Sequence, residues 1–209
     1  MNWKIALGVV LMSFLNQGYT ENIQIVTIDS PLQHILKMKT EDIQIDELPL
    51  AQEIVQKLFS ALEPHLPAAG LAAPQIGISR SVFIFSFDRD PNNLEGVINP
   101  HFVPIGEAKI EGWEGCFSVI LSDGTWKLAK IPRYEAIKVE YLNVEGERIE
   151  KILEGFAAKV FQHEYDHLQG IENIDREDAI VRDFFSEEEM LSFMQQVKKE
   201  DSLSYKKPN

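Results

Sequence analysis

The sequence predicts an α+β fold in which strands flank a helix that carries the candidate site. Residues 47–63 have apolar side chains at helical spacing and stop at a proline, as a buried amphipathic helix does. Residues 137–142 and 148–153 alternate like two strands joined by an Asn-Val-Glu-Gly turn. Residues 155–168 contain no helix breaker after their first glycine, and Gly170 follows where a helix C-cap belongs. They predict a second helix.

The remaining elements follow from shorter patterns. Residues 23–27 alternate like a strand, and residues 81–87 form a further apolar strand. Residues 187–199 predict a C-terminal helix, with Ser186 as its N-cap and Glu189 completing a capping box. These elements suit a single domain, and the sequence contains no internal repeats.

The overall charge argues against one class of function. The 209 residues carry a formal net charge of −13, with few basic clusters. Such a chain is not expected to bind nucleic acid directly. The single cysteine excludes an internal disulfide, so cysteine content gives no indication of the redox compartment.

The predicted second helix contains the pattern H-E-x-x-H. Residues four apart lie on one helix face, so His163 and His167 can present two imidazole nitrogens to one metal ion. Glu164 leaves the helix at an angle that reaches a water on that ion, where a carboxylate can act as general acid and base. The same pattern is compatible with solvated or core histidines, so a third ligand decides between the interpretations.

The sequence offers three possible sources of a third ligand. Gly170 continues a pattern that should end in a histidine, but Asn173 occupies that position. The glutamates at 187–189 are available, although they fit the acidic first turn of the capped helix. Cys116 is the remaining candidate. A lone cysteine is usually a small buried side chain, but Gly115 beside it lets a ligand approach the backbone closely.

Three separated segments resemble the motifs of the peptide deformylase family. They are Gly-Leu-Ala-Ala-Pro-Gln at 70–75, Glu-Gly-Cys-Phe-Ser at 114–118 and Gln-His-Glu-Tyr-Asp-His-Leu-Gln-Gly at 162–170. Their order is that of the family, and the similarity runs from about residue 23 to about residue 176. The resemblance implies antiparallel sheets packed around the central metal-binding helix. It also implies an enzyme that removes the formyl group from N-formylmethionyl peptides.

The resemblance assigns roles to the motif residues. Cys116, His163 and His167 would hold one divalent metal ion. The family implies iron(II), with zinc, nickel and cobalt as alternatives because thiolate and imidazole suit several of these ions. The side chain of Gln75 and the backbone N–H of Phe117 would stabilise the oxyanion that forms at the formyl carbon.

Further residues are expected to hold the substrate and the metal segment in place. The expected substrate-binding residues are Gly70, Gly115, Phe156, Lys159 and Val160. The last three would face the methionine side chain. The family keeps an acid before Gly-Cys and an arginine after proline, so Glu114 and Arg133 are expected to pair next to the site.

Several positions depart from the family pattern. Ala68 replaces the first glycine of motif one, and Phe117 replaces the usual leucine. Residues 119–131 are expected to form a longer loop than the family has. Glu172 and Asn173 stand where apolar residues are usual. These departures indicate a divergent member and affect the expected substrate more than the expected metal.

The chain begins with a segment that looks like a secretion signal. Lys4 precedes an apolar run over residues 5–15, which is short for a membrane span but has the size of a signal-peptide apolar region. We therefore expect residues 1–20 to act as a signal or membrane tether. Residues 21–185 would form the catalytic domain, and residues 186–209 a C-terminal helix and polar tail.

The expected location depends on that first segment. The family acts on chains emerging from cytoplasmic ribosomes, which implies a cytoplasmic enzyme with a transient ribosome contact. A signal or tether over residues 1–20 would instead imply export or contact with a membrane.

Two alternative functions stay open at this point. A metalloprotease or another amidase could use the same metal site. The longer loop and the signal-like start favour that alternative, whereas Gln75 and Cys116 oppose it. An inactive deformylase-like binding module would require the loss of a catalytic residue, and none is lost.

Overall fold

The structure, a computed structural model, describes residues 23–88 and 90–204 and confirms the α+β fold. The strands are β1 (Gly70–Ala72), β2 (Val82–Ser86), β3 (Leu94–Pro104), β4 (Lys109–Ile120), β5 (Trp126–Tyr134), β6 (Ala136–Leu142), β7 (Arg148–Glu154) and β8 (Ile180–Phe184). The α-helices are α1 (Leu48–Leu62), α2 (Gly155–Leu168) and α3 (Glu187–Ser204). All strand pairs are antiparallel, in sheets ordered β1-β2-β3-β6-β7 and β4-β5-β8.

The five-stranded sheet lies between α1 and α2. Successive side chains of a strand point to opposite faces, and every residue of β2 is buried. Val82 and Ile84 join the apolar cluster that includes α1, whereas Phe83 and Phe85 join the cluster that includes α2. The helix with the H-E-x-x-H pattern is therefore packed on one face of this sheet, as the sequence predicts.

An aromatic cluster fixes α2 on the sheet. The ring of Phe161 meets those of Phe83 and Phe85 edge-on, with centroids 5.1 and 5.6 Å apart. All three side chains are fully buried. Edge-to-face packing of this kind adds to the free energy of burial, so it limits rotation of α2 about its axis.

The segment over residues 119–131 is not a long loop, and that expectation was wrong. β4 continues to Ile120 and β5 starts at Trp126, so only a short turn separates them. β5 also pairs with β8, with Trp126 opposite Phe184. Pairing to a strand more than 50 residues away holds this segment extended, and that partner cannot be found from local sequence.

The predicted strand at residues 23–27 was also wrong. The segment is extended but does not form a ladder. The N–H of Val26 donates to the Gln75 carbonyl at 2.8 Å, and the N–H of Ile28 donates to the Ser118 carbonyl at 2.9 Å. Because these bonds go to two different parts of the fold, the segment connects motif one with motif two instead of extending a sheet.

Both predicted helix ends are present. Gly170 follows α2 with φ +74°, and a β-carbon there would lie 2.7 Å from the Lys37 carbonyl carbon, so glycine is required. At the start of α3 the N–H of Glu189 donates to the Ser186 hydroxyl at 3.2 Å. Residues 1–20 lie outside the described part of the chain, and within that part no helix has the length and apolar character needed to cross a bilayer.

Candidate metal centre and active site

The structure brings together the three side chains expected to bind a metal. Cys116 lies on β4, while His163 and His167 lie one turn apart on α2. Their ligand atoms all lie within 4.8 Å of one another, and Cys116 Sγ is 3.4 Å from His167 Nε2. Within residues 23–88 and 90–204 this is the one such group of histidine, cysteine and acidic side chains.

The orientation of the two imidazoles fits a metal ion. His163 Nδ1 lies 2.9 Å from Glu114 Oε2, and His167 Nδ1 lies 3.2 Å from Glu172 Oε1. With each Nδ1–H donating to a carboxylate, both Nε2 atoms are left as ligands. Metal-binding histidines usually have this arrangement. Two imidazoles and the Cys116 thiolate are a donor set that catalytic sites use, with a fourth position open.

Electrostatics at the cluster favour a thiolate next to positive charge. Burial raises the pKa of the Cys116 thiol, but the charge on His167 and hydrogen bonds from both imidazoles outweigh it, so the pKa lies below its usual value. Burial lowers the pKa of His163, but hydrogen bonds to Cys116 and Glu114 outweigh it and raise that pKa to about 10. A metal ion supplies the same positive charge to the thiolate.

Arg133 and Glu114 form a buried ion pair beside the cluster of Cys116, His163 and His167. Arg133 donates to both Glu114 carboxylate oxygens, at 3.0 and 2.9 Å, and also to Asp166 at 2.5 Å. Burial raises the pKa of Glu114, but hydrogen bonds from His163 and Arg133 outweigh it and hold the pKa well below its usual range. The pair links β4, β5 and α2, which are the elements that position the ligands.

Glu164 is buried beside the ligands on α2. Burial raises the pKa of its carboxyl group. Its Oε2 atom is buried without a hydrogen-bond partner among the described residues. A β-carbon on Gly70 would lie 2.5 Å from Glu164 Oε1, so the glycine leaves room for the carboxylate. A carboxylate with a raised pKa and an unpaired oxygen is suited to accept and return a proton.

Gln75 points its amide into the same region. It lies in the short turn after β1, where its Oε1 accepts a hydrogen bond from the Ala72 N–H at 2.9 Å. That bond fixes the amide with Nε2 directed at Cys116 Sγ, 3.4 Å away, and at Ser118 Oγ, 3.2 Å away. The side chain therefore presents N–H donors beside the cluster.

Phe117 lies where the strand pairing is irregular. Regular pairing of β4 with β5 stops at Gly115 and resumes at Ile120. The backbone of Phe117 therefore lies outside the regular ladder, as is common for bulges next to active sites. Its ring lies 4.8 Å, centroid to centroid, from the ring of His65.

A cavity of about 320 Å³ opens next to the cluster. All the residues expected to bind substrate line it, namely Gly70, Gly115, Phe156, Lys159 and Val160. Gln75, Cys116, Phe117, His163 and Glu164 line it as well. The expected oxyanion donors, the proton carrier and two of the three ligands thus face one space.

Part of the cavity lining was not predicted from the sequence. We call it the apolar wall, and it consists of Trp113, Ile120, Trp126, Leu128, Met190 and Met194. These residues come from β4, β5 and α3. The helical spacing of α3 could have indicated a buried face, but no local signal shows that this face reaches the site.

Glu172 was also missed as a site residue. In the sequence it stands out only as a charged residue where apolar ones are usual. It is fully buried, and burial opposes its ionisation, yet the charge of His167 and a hydrogen bond from it hold the Glu172 pKa below its usual value. A charged residue at a position that is usually apolar in the family was the sequence signal that could have identified Glu172 as a site residue.

A comparison with family models gives a match over residues 23–183, to the family described as Polypeptide deformylase. Peptide deformylase 2 of Ralstonia nicotianae is 37% identical over 150 residues, which cover 68% of this chain and 79% of that protein. A peptide deformylase of Thermotoga petrophila is 43% identical over 112 residues, covering 54% of this chain and 63% of that protein. Helix α3 lies outside the matched range.

Solved structures give the same result. The crystal structure of the Thermotoga maritima peptide deformylase matches with a TM-score of 0.63 and 33% identity, covering 74% of this chain and 96% of that one. The Met-Ala-Ser-bound enzyme of Acinetobacter baumannii matches with a TM-score of 0.64 and 28% identity, covering 74% and 98%. The match therefore spans nearly the whole of each of these enzymes.

Proposed function

The chain belongs to the peptide deformylase family, whose members remove the N-terminal formyl group from N-formylmethionyl peptides, and we propose that its cavity carries out this reaction. The protein is thus a metal-dependent amide hydrolase. One observation supports the proposal most strongly. The ligand atoms of Cys116, His163 and His167 converge within 4.8 Å, and Glu164, with an unpaired carboxylate oxygen, lines the adjoining cavity.

Cys116, His163 and His167 would hold one divalent ion. We infer iron(II) from the family resemblance, and zinc, nickel and cobalt suit the same thiolate and imidazole donors. When bound, such an ion supplies a Lewis acid that makes water nucleophilic near neutral pH. The buried ion pair of Arg133 with Glu114 would hold β5 against β4, and the pair of Arg133 with Asp166 would hold β5 against α2, which together position the three side chains.

Glu164 moves the proton in this reaction. Water adds to the formyl carbon, the C–N bond breaks, and the products are formate and a free α-amine. Glu164 accepts the proton of the attacking water and returns it to the departing nitrogen. Its raised pKa allows it to hold that proton between the two steps.

Gln75 and Phe117 are proposed to stabilise the oxyanion. The Gln75 Nε2 donor lies beside Cys116 Sγ, and its amide is fixed by the hydrogen bond from Ala72. The Phe117 backbone lies outside the regular β4–β5 ladder, so its N–H is not committed to a regular strand pair. Preorganised donors of this kind stabilise the negative charge that develops on the formyl oxygen.

The rest of the cavity is proposed to hold the methionine side chain. Phe156, Val160 and the aliphatic part of Lys159 line it from α2, and the apolar wall faces it from the other sheet. The Lys159 ammonium donates to the Trp113 carbonyl at 3.2 Å. An unbranched apolar side chain suits a space with this lining.

The test is formate release from formyl-Met-Ala-Ser by the iron-loaded protein under reducing, oxygen-free conditions. We expect stoichiometric formate and free Met-Ala-Ser. Unformylated Met-Ala-Ser, incubated in parallel, separates deformylation from proteolysis. Cleavage of that control peptide without formate release would support a metalloprotease instead.

We further propose that residues 1–20 are not needed for the catalytic domain over residues 21–185. The family match begins at residue 23. A protein that starts at Glu21 should keep metal content and formate release equal to those of the full chain. Loss of folding in this truncated protein would show that the first segment belongs to the core.

Fractionation of the full chain in its own cell then distinguishes a cytoplasmic, ribosome-associated enzyme from an exported or membrane-tethered one.

A further inference from the structure

Glu172 lies at the site but has no role in the proposed reaction. It follows the end of α2, and its side chain is fully buried. Its Oε1 lies 3.2 Å from His167 Nδ1, and its Oε2 lies 3.8 Å from Cys116 Sγ. Its own backbone N–H donates to Asp175 Oδ2 at 3.2 Å, which fixes the start of this segment. Glu172 thus contacts two of the three proposed ligands.

The two histidine partners differ in how their charges are balanced. Glu114 receives two hydrogen bonds from Arg133. Glu172 receives no hydrogen bond from any arginine or lysine in the part of the chain that the structure describes. Lys37 acts on it only through space, because that lysine is paired with Asp175. Among residues 23–88 and 90–204, His167 is the single side chain that donates a nitrogen proton to Glu172.

A buried carboxylate without a fixed cation is costly to maintain. A divalent ion held by Cys116 and His167 would lie one imidazole away from Glu172 and would offset its charge. In return, a carboxylate that accepts the Nδ1 proton orients the ring and makes the opposite nitrogen a better ligand. An apolar residue, as is usual at this position, can do neither.

We propose that Glu172 is a positioning residue of the metal centre, which fixes His167 with Nε2 toward the ion and adds negative charge that increases retention of a divalent cation. The inference rests on the proposed metal site. It gives the two histidines matching carboxylate partners, Glu114 for His163 and Glu172 for His167.

Zinc retention by purified variants tests this inference. The protein is loaded with zinc, mixed with excess chelator, and the zinc lost is followed over time. E172Q keeps an acceptor for the Nδ1 proton but removes the charge, whereas Glu172→Leu removes both. We expect faster zinc loss from E172Q than from the unmodified protein. In Glu172→Leu the rate of zinc loss should rise by about 10- to 100-fold, since removal of such partners weakens metal sites to that extent.

Glu177→Gln is the matched control, because it removes the same charge from an exposed residue nearby. Its zinc loss should equal that of the unmodified protein. Equal zinc loss from the unmodified protein, E172Q and the control contradicts the inference while leaving the proposed function standing. An unmodified protein that binds no zinc contradicts the proposed function, and the inference with it.

A second measurement requires no variant. In the zinc-loaded protein, the imidazole resonances of His167 should show a retained, strongly downfield Nδ1 proton, as expected for donation to a carboxylate. E172Q, if folded by circular dichroism, should shift that resonance upfield while leaving the His163 resonance in place. A His167 without an Nδ1 proton in the loaded protein would overturn the assignment. If Glu172 served only in packing, E172Q would change neither the Nδ1 proton resonance of His167 nor the rate of zinc loss.

Discussion

Two regions beside the cavity are held in different ways. The metal corner, which consists of the three ligands with Glu114 and Glu172, is fixed by charged hydrogen bonds of 2.9 to 3.2 Å and by Arg133. The side chains of the apolar wall are held by packing, with the Trp113 ring 5.0 Å from that of Phe193 on α3. Charged hydrogen bonds require particular groups at particular distances, whereas packing tolerates exchange of one apolar residue for another.

This difference indicates that the two regions have different functions. Apart from Glu172, the metal corner is built from the family motifs, and it would hold the metal ion of the proposed reaction. The wall draws Met190 and Met194 from α3, which lies outside the family match over residues 23–183. We therefore expect substitutions in the corner to abolish activity or folding, and substitutions in the wall to change substrate affinity alone.

The largest effect is expected from Cys116→Ala. This change leaves two neutral imidazoles, and three protein ligands are normal for a catalytic ion. Formate release should fall about 1000-fold or more, since metal activation accounts for several kcal/mol of the barrier. Elemental analysis after dialysis against chelator should find little metal. Full metal content in this variant would remove Cys116 from the ligand set.

Breaking the ion pair of the metal corner should destabilise the fold. Arg133→Met leaves Glu114 buried without its arginine, and removal of one partner of a buried pair costs about 3–5 kcal/mol. Urea denaturation of the metal-free protein measures the loss. Arg148→Met is the control, because Arg148 pairs with Glu140 at the surface and its removal should not change stability measurably. Equal stability of both variants would show that the buried pair is not needed.

Closing the space beside Glu164 should slow the reaction without removing the metal. In Gly70→Ala the new β-carbon would lie 2.5 Å from Glu164 Oε1, so the carboxylate must move. Displacement of a catalytic group by about 1 Å can cost about 100-fold in rate. We expect kcat to fall by 10- to 100-fold, by the same principle, while metal content stays that of the unmodified protein. An unchanged kcat would show that Glu164 does not need its present position.

The smallest effect is expected in the apolar wall. Met194→Ala removes apolar contacts that substrate and transition state share, so KM should rise by roughly tenfold with kcat unchanged. Leu191→Ala, at an exposed position of the same helix, is the control and should leave KM unchanged. A fall in kcat in Met194→Ala would show that α3 also positions the reacting groups.

The same contrast explains what the sequence could predict. The three helices follow from local periodicity and caps, such as Gly170 after α2 and Ser186 before α3. The motifs located the residues that the structure brings into the metal corner, with the exception of Glu172. The wall could not be predicted, because Trp126 and Met190 meet only after β5 pairs with β8 and α3 folds back onto that sheet.

Two further failures have the same physical cause. Most of residues 119–131 become strand, and β5 pairs with the distant β8. Residues 23–27 lie outside any sheet, and the backbone N–H groups of Val26 and Ile28 donate to two separate parts of the fold. The sequence marked Glu172 as unusual but could not show whether its charge faced solvent or His167. Long-range contacts decided each of these outcomes.

The most direct test of the account compares Glu164→Gln with the unmodified protein at equal metal content. The amide keeps the shape of the side chain but cannot accept a proton. Formate release from formyl-Met-Ala-Ser should therefore fall by about 100-fold or more while the metal stays bound. A variant that carries a full complement of metal and still releases formate at the unmodified rate would contradict the claim that this buried carboxylate carries the proton.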